Sequence, residues 1–360
     1  MGNCTNGYED MDNVKTVMGV LSETQFNTAF PDAVDIYTYN NFLRSVCKYP
    51  KFCAEVSSHI SSTSSLDEVC KLELSTLFAH IAYETDELQD THDTSCDVAE
   101  GADPSSDCDY FTDSYAASLL WPPADGQQYY SRGALNLRYN PQYGKFSDIA
   151  YDGGLNDTQI LLDGPGNVTT DGYLAFTSAM WGYMTPVSPR PSMHEVMTGY
   201  FLPSTFDVNP GNITANSFGT TTNILTNNNE CGSNDGESTG AQARADYFNT
   251  YTALLGLNPQ SNTGCADMGN FDDLSASYKP NYFWTKSLNE NECQLTPTMT
   301  KYQIYSTRDY MRCVCDYWGA DTKNCLVGTE HQSDDDGKFA TGLVVNLVAA
   351  MSTLLVFIVA

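Results

Sequence analysis

One glutamate lies where the pattern of a core-facing helix is still running. In the stretch "AHIAYETDEL" the apolar stripe through Leu77 and Ile81 reaches Glu84 at its next inward position. Burial and the negative end of the helix dipole both disfavour an ionised carboxylate there, so we predict a raised pKa for Glu84. Such a carboxyl group can act as a general acid. The alternative is a salt-bridged or half-exposed glutamate at a helix end.

Three segments have the residue spacing of long helices. The first begins after Ser65, which has capping-box spacing to Glu68, and runs for about five turns up to the glutamate. The second is "YLAFTSAMWGYM", ended by Pro186, and the third is "GAQARADYFNTYTALLG", capped by Gly256. Loops rich in Gly, Pro, Asn and Ser connect them, and few segments alternate as strands do. The sequence therefore predicts a mainly α-helical fold with long loops.

The chain is strongly acidic. Its 360 residues include 17 Lys and Arg against 45 Asp and Glu, which gives a net charge of -28 and a pI near 4.2. Such a surface repels phosphate backbones and anionic membranes, so we expect no nucleic-acid partner. Neutral, hydroxyl-rich ligands remain compatible, and the 23 Tyr and 4 Trp offer flat faces for sugar rings. We expect no cofactor.

The cysteines and sequons favour a secreted protein. Twelve cysteines form an even set without the paired CxxC spacing of a zinc site, so we predict disulfides and no metal.

The N-terminal "MGNCTNGYEDMDN" has no apolar segment of a signal peptide and is read as a mature start or an incomplete gene model. Myristoylation of Gly2 is a disfavoured alternative, because its motif requires Ser or Thr at the position of Asn6. Four N-x-[ST] sequons lie at Asn3, Asn156, Asn167 and Asn212.

The C-terminal segment "GLVVNLVAAMSTLLVFIVA" is an uncharged apolar tail that follows "SDDDGKFAT". Small residues, a polar spacer and an apolar tail in this order are typical of a glycolipid (GPI) anchor signal, with attachment within 333–337. A single membrane-spanning helix is the alternative, although no basic cluster follows the tail. We expect a monomeric, extracellular protein at the cell surface, with membrane contact only through this tail.

Six ordered segments carry a resemblance to a known family. They read "IYTYNNFLRSVCKYPKF", "LSTLFAHIAYET", "WPPADGQQYYSRGALNLRYNPQYG", "AFTSAMWGYMTPVSPRPSMHEVMTGYF", "TNILTNNNECG" and "YFNTYTALLGL". Together they resemble the family 19 glycoside hydrolases, the chitinases of the lysozyme-like superfamily, over residues 36–265. The resemblance implies a two-lobed, disulfide-stapled helical domain with a central cleft. Residues 1–35 are then an N-terminal segment, 266–332 a Cys-rich extension and 333–360 the anchor signal or membrane tail.

The resemblance implies two catalytic carboxylates. The acid of the family's "HET" motif falls on Glu84, and its second acid falls on Glu100, which keeps the family spacing between Cys96 and Cys108; Asp113 is the reserve candidate. The implied reaction is endo-acting, inverting hydrolysis of β-1,4-linked N-acetylglucosamine in chitin. Protonated Glu84 would donate to the glycosidic oxygen, while ionised Glu100 would activate a water on the opposite face of the sugar.

Further site residues follow from the same resemblance. Glu230 and Arg244 fall where the family places a glutamate and an arginine behind the acid, and a charged network with Glu84 would orient it. Cys231 and Cys265 match the family's late disulfide, whereas the cysteine pairing in the first half stays open. Candidate substrate-binding residues are Trp121, Tyr130, Arg132, Asn136, Tyr139 and Arg190.

Several family positions are altered. Tyr83 replaces the histidine of "HET", and Arg138 and Gln142 replace a serine and an asparagine that help to hold the attacking water. Thr226 replaces another asparagine, although a shift by one residue would bring Asn227 to that place. These changes leave two alternatives, a chitin-binding protein with weakened turnover and a hydrolase that acts on peptidoglycan.

Overall fold

The computed structural model describes most of the first 271 residues. Described in full are residues 4–60, 64–97, 108, 121–151, 159–187, 190–232 and 236–271, and in backbone only 157–158, 281–286 and 293–299. Glu100, Asp113 and the apolar tail lie outside the described residues. Within these ranges no helix has both the length and the apolar character that crossing a bilayer requires.

The described chain is mainly helical, which confirms the predicted fold class. A two-stranded antiparallel hairpin, Asn281–Lys286 (β1) with Cys293–Met299 (β2), was not predicted. Single 3-10 turns cover Tyr8–Asp10 and Thr94–Cys96. The α-helices are α1 (Asp12–Val20), α2 (Glu23–Ala29), α3 (Tyr39–Lys48), α4 (Leu66–Glu84), α5 (Asn140–Ala150), α6 (Asp157–Asp163), α7 (Asn167–Thr170), α8 (Gly172–Met184), α9 (Met193–Met197), α10 (Thr205–Val208), α11 (Phe218–Thr226) and α12 (Thr239–Leu254).

Helix α4 begins and ends as the sequence predicts. The Ser65 hydroxyl accepts the Glu68 N–H at 3.2 Å, and the Glu68 carboxylate accepts the Ser65 N–H at 2.9 Å, which completes the capping box. The helix runs to Glu84, and its middle is buried on nearly all sides. Helices α8 and α12 also match their predicted segments, and Gly256 follows α12 with a φ of +71°.

Aromatic rings join four helices around the N-terminal half of the core. Phe42 of α3 lies 5.8 Å from Phe26 of α2, 5.3 Å from Phe78 of α4 and 5.5 Å from Phe176 of α8, measured between ring centroids. Contacts of this geometry each stabilise a core by about 0.5–1.5 kcal/mol beyond the apolar area buried. Helix α2, in the N-terminal segment, therefore packs into the same core that holds α4.

Four disulfides staple the described chain. Cys231 pairs with Cys265, as the family resemblance implied. The pairings that the sequence left open are Cys4–Cys47, Cys53–Cys70 and Cys96–Cys108. The second of these joins the first turns of α4 to the loop after α3, so the helix is covalently held near its start.

A buried ionic cluster, absent from the sequence analysis, holds α4 near its N-terminal half. His194 of α9 is fully buried; its Nδ1 bonds Glu73 of α4 at 2.5 Å and its Nε2 lies 3.3 Å from Glu55. Lys51 pairs with the other oxygen of Glu55 at 3.0 Å. Burial alone would lower the pKa of His194, but Glu73 and Glu55 outweigh it and raise that pKa to about 9.

This cluster predicts that stability declines in mildly alkaline solution. The folded pKa of His194, about 9, lies above the usual 6.5, so the folded state binds more protons between these values. The stabilisation is complete below pH 6.5 and is lost as the pH rises through 9, a decline of roughly 1–3 kcal/mol in the free energy of unfolding. Urea denaturation across this range measures it. In a Glu55→Gln control the decline should be shallower, and an unchanged slope would contradict the assignment to His194.

Candidate active site

The candidate acid is the last residue of α4, and the chain turns sharply just after it. Asp86, Glu87 and Leu88 have φ values of 46°, 60° and 65°, the left-handed region that residues with side chains rarely adopt. Leu88 is fully buried, and its N–H donates to the Thr85 hydroxyl at 2.8 Å. Burial of Leu88 therefore holds a turn that costs backbone energy, and this turn fixes where α4 stops.

Arg244 of α12 bridges two glutamates at this helix end. Its Nη2 donates to Glu84 Oε1 and, at 3.0 Å, to Glu230 Oε1, while its Nε donates to Glu230 Oε2 at 2.9 Å. The side chains of Arg244, Glu84 and Glu230 are 3%, 12% and 22% exposed. Burial alone would lower the pKa of Arg244, but the two carboxylates outweigh it and raise that pKa. Glu84 thus lies on the inward face of α4 and is also ion-paired. The two alternatives from the sequence, a core-facing carboxylate and a salt-bridged glutamate at the helix end, both hold.

Tyr83 and Gly240 shape the surroundings of this bridge. The Arg244 guanidinium carbon lies 4.0 Å from the centre of the Tyr83 ring, a cation–π contact. A Cβ on Gly240, in the first turn of α12, would lie 2.8 Å from Glu230 Oε2 and 2.9 Å from Tyr83 Oη. Only a glycine there lets both side chains lie close to the helix. The sequence identifies Tyr83 only as a substitution and predicts no role for either residue. Their nearness in sequence to Glu84 and Arg244 was the available signal.

Asn136 holds the second oxygen of the acid. Asn136 was predicted to bind substrate, and in the structure its Nδ2 donates to Glu84 Oε2. It lies in a tight turn closed by reciprocal backbone bonds between Arg132 and Leu137, at 3.0 and 2.9 Å. Both carboxylate oxygens of Glu84 therefore have a donor, one from Asn136 and one from Arg244, so the orientation of the carboxylate is fixed.

Three of the other substrate-binding candidates take part in internal packing. Arg132 is 6% exposed, donates to the Gln128 carbonyl at 2.8 Å and lies 3.6 Å from the centre of the Tyr130 ring. Trp121 packs against Gly144 of α5, where an added Cβ would approach its ring to 2.2 Å. These contacts give Arg132, Tyr130 and Trp121 supporting roles in the fold, and their part in substrate binding stays a prediction.

Tyr139 and Arg190 differ in their surroundings. Tyr139, just before α5, is 41% exposed and has a φ of 65°. Arg190 donates to the Ile224 carbonyl at 2.9 Å, and burial lowers its pKa. Tyr139 is therefore partly accessible, whereas the guanidinium of Arg190 is directed at the backbone of α11. Neither residue contacts Glu84 within the described part of the chain.

The structure also shows what the residues at the altered family positions contact. Gln142 Oε1 accepts the backbone N–H of Arg138 at 3.3 Å, and the Thr226 hydroxyl donates to the Thr222 carbonyl at 2.8 Å. Asn227 is the left-handed cap of α11, with a φ of 52°. The side chains of Gln142 and Thr226 thus serve local backbone hydrogen bonds.

The segment that leads to Glu100 pairs with the turn that carries Asn136. The Gly133 N–H donates to the Thr91 carbonyl and the Asp93 N–H to the Ser131 carbonyl, both at 2.9 Å. The Cys96–Cys108 disulfide then closes the loop that contains Glu100. Both ends of that loop are consequently tethered beside the residues that contact Glu84.

Comparison with known proteins identifies the family of this chain. A family model described as chitinase class I, glycoside hydrolase family 19, matches residues 19–265. The chain belongs to glycoside hydrolase family 19. Endochitinase 3 of Nicotiana tabacum is 31% identical over 242 residues, which are 66% of this chain and 64% of that protein. Endochitinase 1 of Solanum tuberosum is 30% identical over 268 residues, 70% of this chain and 76% of that protein.

The fold agrees with this family membership. A crystal structure of a chitinase C variant is similar with a TM-score of 0.50 at 24% identity, and the match covers 68% of this chain and 80% of that one. At that identity the likeness concerns the fold alone. The family 19 match begins at residue 19, near the end of α1, so it includes α2, which packs against α4.

The crowding at Gly240 generates a stability prediction. A Gly→Ala change within a helix ordinarily stabilises it by about 1 kcal/mol. At Gly240 the new methyl group would displace Glu230 and Tyr83, so we expect Gly240→Ala to destabilise by roughly 1–3 kcal/mol instead. Gly19→Ala in α1, where an added Cβ meets nothing within 4 Å, is the matched control. Urea midpoints measure both, and equal gains for the two variants would refute the crowding.

Proposed function

We propose that this protein hydrolyses β-1,4-linked N-acetylglucosamine chains of the chitin type, by an inverting mechanism with Glu84 as general acid and Glu100 as general base. The observation that carries the proposal is the bridge from Glu230 through Arg244 to Glu84, which fixes a carboxylate at the end of a buried helix. Family 19 membership supplies the substrate class, because the relatives named above are endochitinases.

Glu84 suits the acid role because of how it is held. Asn136 and Arg244 fix the plane of the carboxylate, and the side chain remains 12% exposed, so a substrate oxygen can approach it. Orientation of a reacting group supplies a large part of a catalytic rate enhancement. In the proposed step the carboxylic acid of Glu84 donates its proton to the glycosidic oxygen as the C–O bond breaks, and it is left as a carboxylate next to Arg244.

The base role of Glu100 is supported by the tethers of its loop. Cys96 lies four residues before Glu100, a span of at most about 14 Å of extended chain. The segment just before Cys96 is hydrogen-bonded to the turn that carries Asn136. An inverting enzyme needs its two carboxyl groups roughly 6.5–9.5 Å apart, so that a water fits between sugar and base. The proposal requires Glu100 to lie at such a distance from Glu84. Its carboxylate would take a proton from the water that attacks the anomeric carbon.

A second candidate function is chitin binding without turnover. It is favoured by Gln142 and Thr226, which replace family residues and whose side chains bond local backbone atoms. This candidate requires that chitin oligomers bind but remain intact.

Replacement of the acid separates the two functions. We expect Glu84→Gln to lower the rate of hydrolysis of an N-acetylglucosamine oligomer by at least about a thousandfold, because the amide cannot donate the acid's proton. Wild-type protein should release products of the inverted anomeric configuration, which proton NMR detects during turnover. The control is Glu23→Gln, an exposed glutamate at the start of α2, which should keep the wild-type rate.

Three outcomes of that experiment are informative. Equal rates in wild-type protein and Glu84→Gln would remove Glu84 from the mechanism. Retention of configuration would remove the inverting scheme and with it the base role of Glu100. Binding of the oligomer without any product from wild-type protein would favour the second candidate function.

We also propose a secreted, glycosylated protein held at the cell surface by a lipid anchor. Two sequons lie in the described part, and both asparagines are exposed. The amide of Asn212 donates to the Asp267 carbonyl at 3.0 Å, whereas that of Asn167 makes no hydrogen bond to any described residue. Asn167 is therefore the better acceptor for a glycan. The anchor proposal rests on the order of small, polar and apolar residues in 333–360.

Production behind a secretion signal in a eukaryotic host tests this location. We expect the full chain at the cell surface, released by a phospholipase specific for phosphatidylinositol, and a glycan shift that is lost in Asn167→Gln. A chain ended at residue 332 should enter the medium directly. Surface protein that resists the phospholipase would favour a membrane-spanning helix.

A further inference from the structure

One arginine near Glu84 has a guanidinium group that contacts no partner among the described residues. Arg138 is half-buried, and its backbone N–H is fixed by Gln142, but its side chain makes no hydrogen bond, ion pair or ring contact in the described part of the chain. The guanidinium groups of the other arginines in that part each donate to a backbone carbonyl or a carboxylate; these are Arg44, Arg132, Arg190 and Arg244. Arg138 is therefore the exception among them.

The backbone places Arg138 next to the reaction centre. It follows Asn136, which contacts Glu84, by two residues, so their Cα atoms are at most about 7 Å apart. Leu137 between them is 4% exposed, while Asn136 and Arg138 are both partly exposed. The two polar side chains thus flank a buried anchor on the turn that contacts Glu84.

A positive charge that has no partner among the described residues can discriminate between two chemical states of a hexosamine chain. Its N–H groups can donate to the carbonyl of an acetamido group, and they repel the ammonium group of a deacetylated sugar. The net charge of the whole chain, -28, acts in the opposite sense, because it attracts a cationic polymer toward the protein surface. Local and global electrostatics therefore favour different substrates, and the local effect is confined to sugars bound near Glu84.

We propose that Arg138 is a specificity-determining residue that selects N-acetylated sugars over deacetylated, protonated glucosamine at the sugar positions next to Glu84. The inference rests on the proposed hydrolysis of N-acetylglucosamine chains and names which sugars the same site takes. It also gives a role to a position where the family's serine is replaced. Because the selection is electrostatic, charge at this position decides it, and the shape of the side chain is secondary.

The test compares two oligomers of equal length, one fully N-acetylated and one partly deacetylated, at a pH below the amine pKa of glucosamine. We expect wild-type protein to prefer the acetylated oligomer in kcat/KM. In Arg138→Gln this preference should fall about tenfold, the size expected when a like charge about 5 Å away is removed in partly exposed surroundings. Arg138→Lys, which keeps the charge, is the matched control and should retain most of the preference.

The contrary results are equally definite. An unchanged ratio in Arg138→Gln would overturn the proposal, and so would a loss of preference in Arg138→Lys equal to that in Arg138→Gln, because the effect would then not depend on charge. Thermal unfolding of each variant establishes that the compared proteins are folded.

Equilibrium binding separates this inference from the proposed function. The two oligomers are titrated into Glu84→Gln protein with and without Arg138→Gln, so that no turnover is required. A drop in the affinity ratio when Arg138 is replaced supports the proposal even if wild-type protein hydrolyses neither oligomer. Equal affinity ratios in the two proteins overturn it even if hydrolysis is observed.

Discussion

The buried guanidinium of Arg244 is the interaction on which the site depends. A charge that is 3% exposed is strongly destabilising unless it is paired, and here two carboxylates from different segments pair with it. Removal of Arg244 would leave both carboxylates without their shared cation, and an uncompensated buried charge typically costs about 3–5 kcal/mol. The ring of Tyr83 and the missing side chain of Gly240 make room for this arrangement. The position of Glu84 is therefore determined by the pairing requirements of an arginine 160 residues away in the sequence.

Helix α4 is held by buried ionic contacts at two positions along its length. Glu73 and Glu84 are eleven residues apart, about three turns, so both lie on the same side of the helix. Glu73 bonds the imidazole of His194, whereas Glu84 pairs with Arg244. Between them the helix is packed by aromatic rings and fully buried leucines such as Leu77. Glu84 thus projects from a rigid element whose rotation and translation are both restricted, a condition for holding a reacting group in place.

The sequence predicted the local features well. A capping box and a 3.6-residue apolar period located α4 and placed Glu84 on its inward face, because these patterns depend only on neighbours in the chain. The family resemblance predicted that Glu230 and Arg244 lie next to Glu84, and the structure shows them there. Asn136 was named for the site, but as a substrate group. Its bond to Glu84 depends on a left-handed turn with a φ of 53°, which residue types alone do not indicate.

Long-range pairings that the family resemblance did not supply were not accessible from the sequence. Glu73 and His194 are 121 residues apart, and each alone reads as an ordinary helix residue. The partner of Cys4 is Cys47, in α3, and its choice depends on how the N-terminal segment packs. The turn through Glu87 and Leu88 uses non-glycine residues at positive φ, a conformation that propensity argues against and that burial of Leu88 imposes.

A double-mutant cycle tests most directly the claim that Glu230 acts on the acid through Arg244. The value of kcat/KM for an N-acetylglucosamine oligomer is measured for wild-type protein, Glu230→Gln, Arg244→Lys and the double variant. Since both residues belong to one bridge to Glu84, the double variant should be no more than slightly slower than Arg244→Lys alone. Losses that multiply independently would show that the two residues act separately, and the bridge would then not be what positions Glu84.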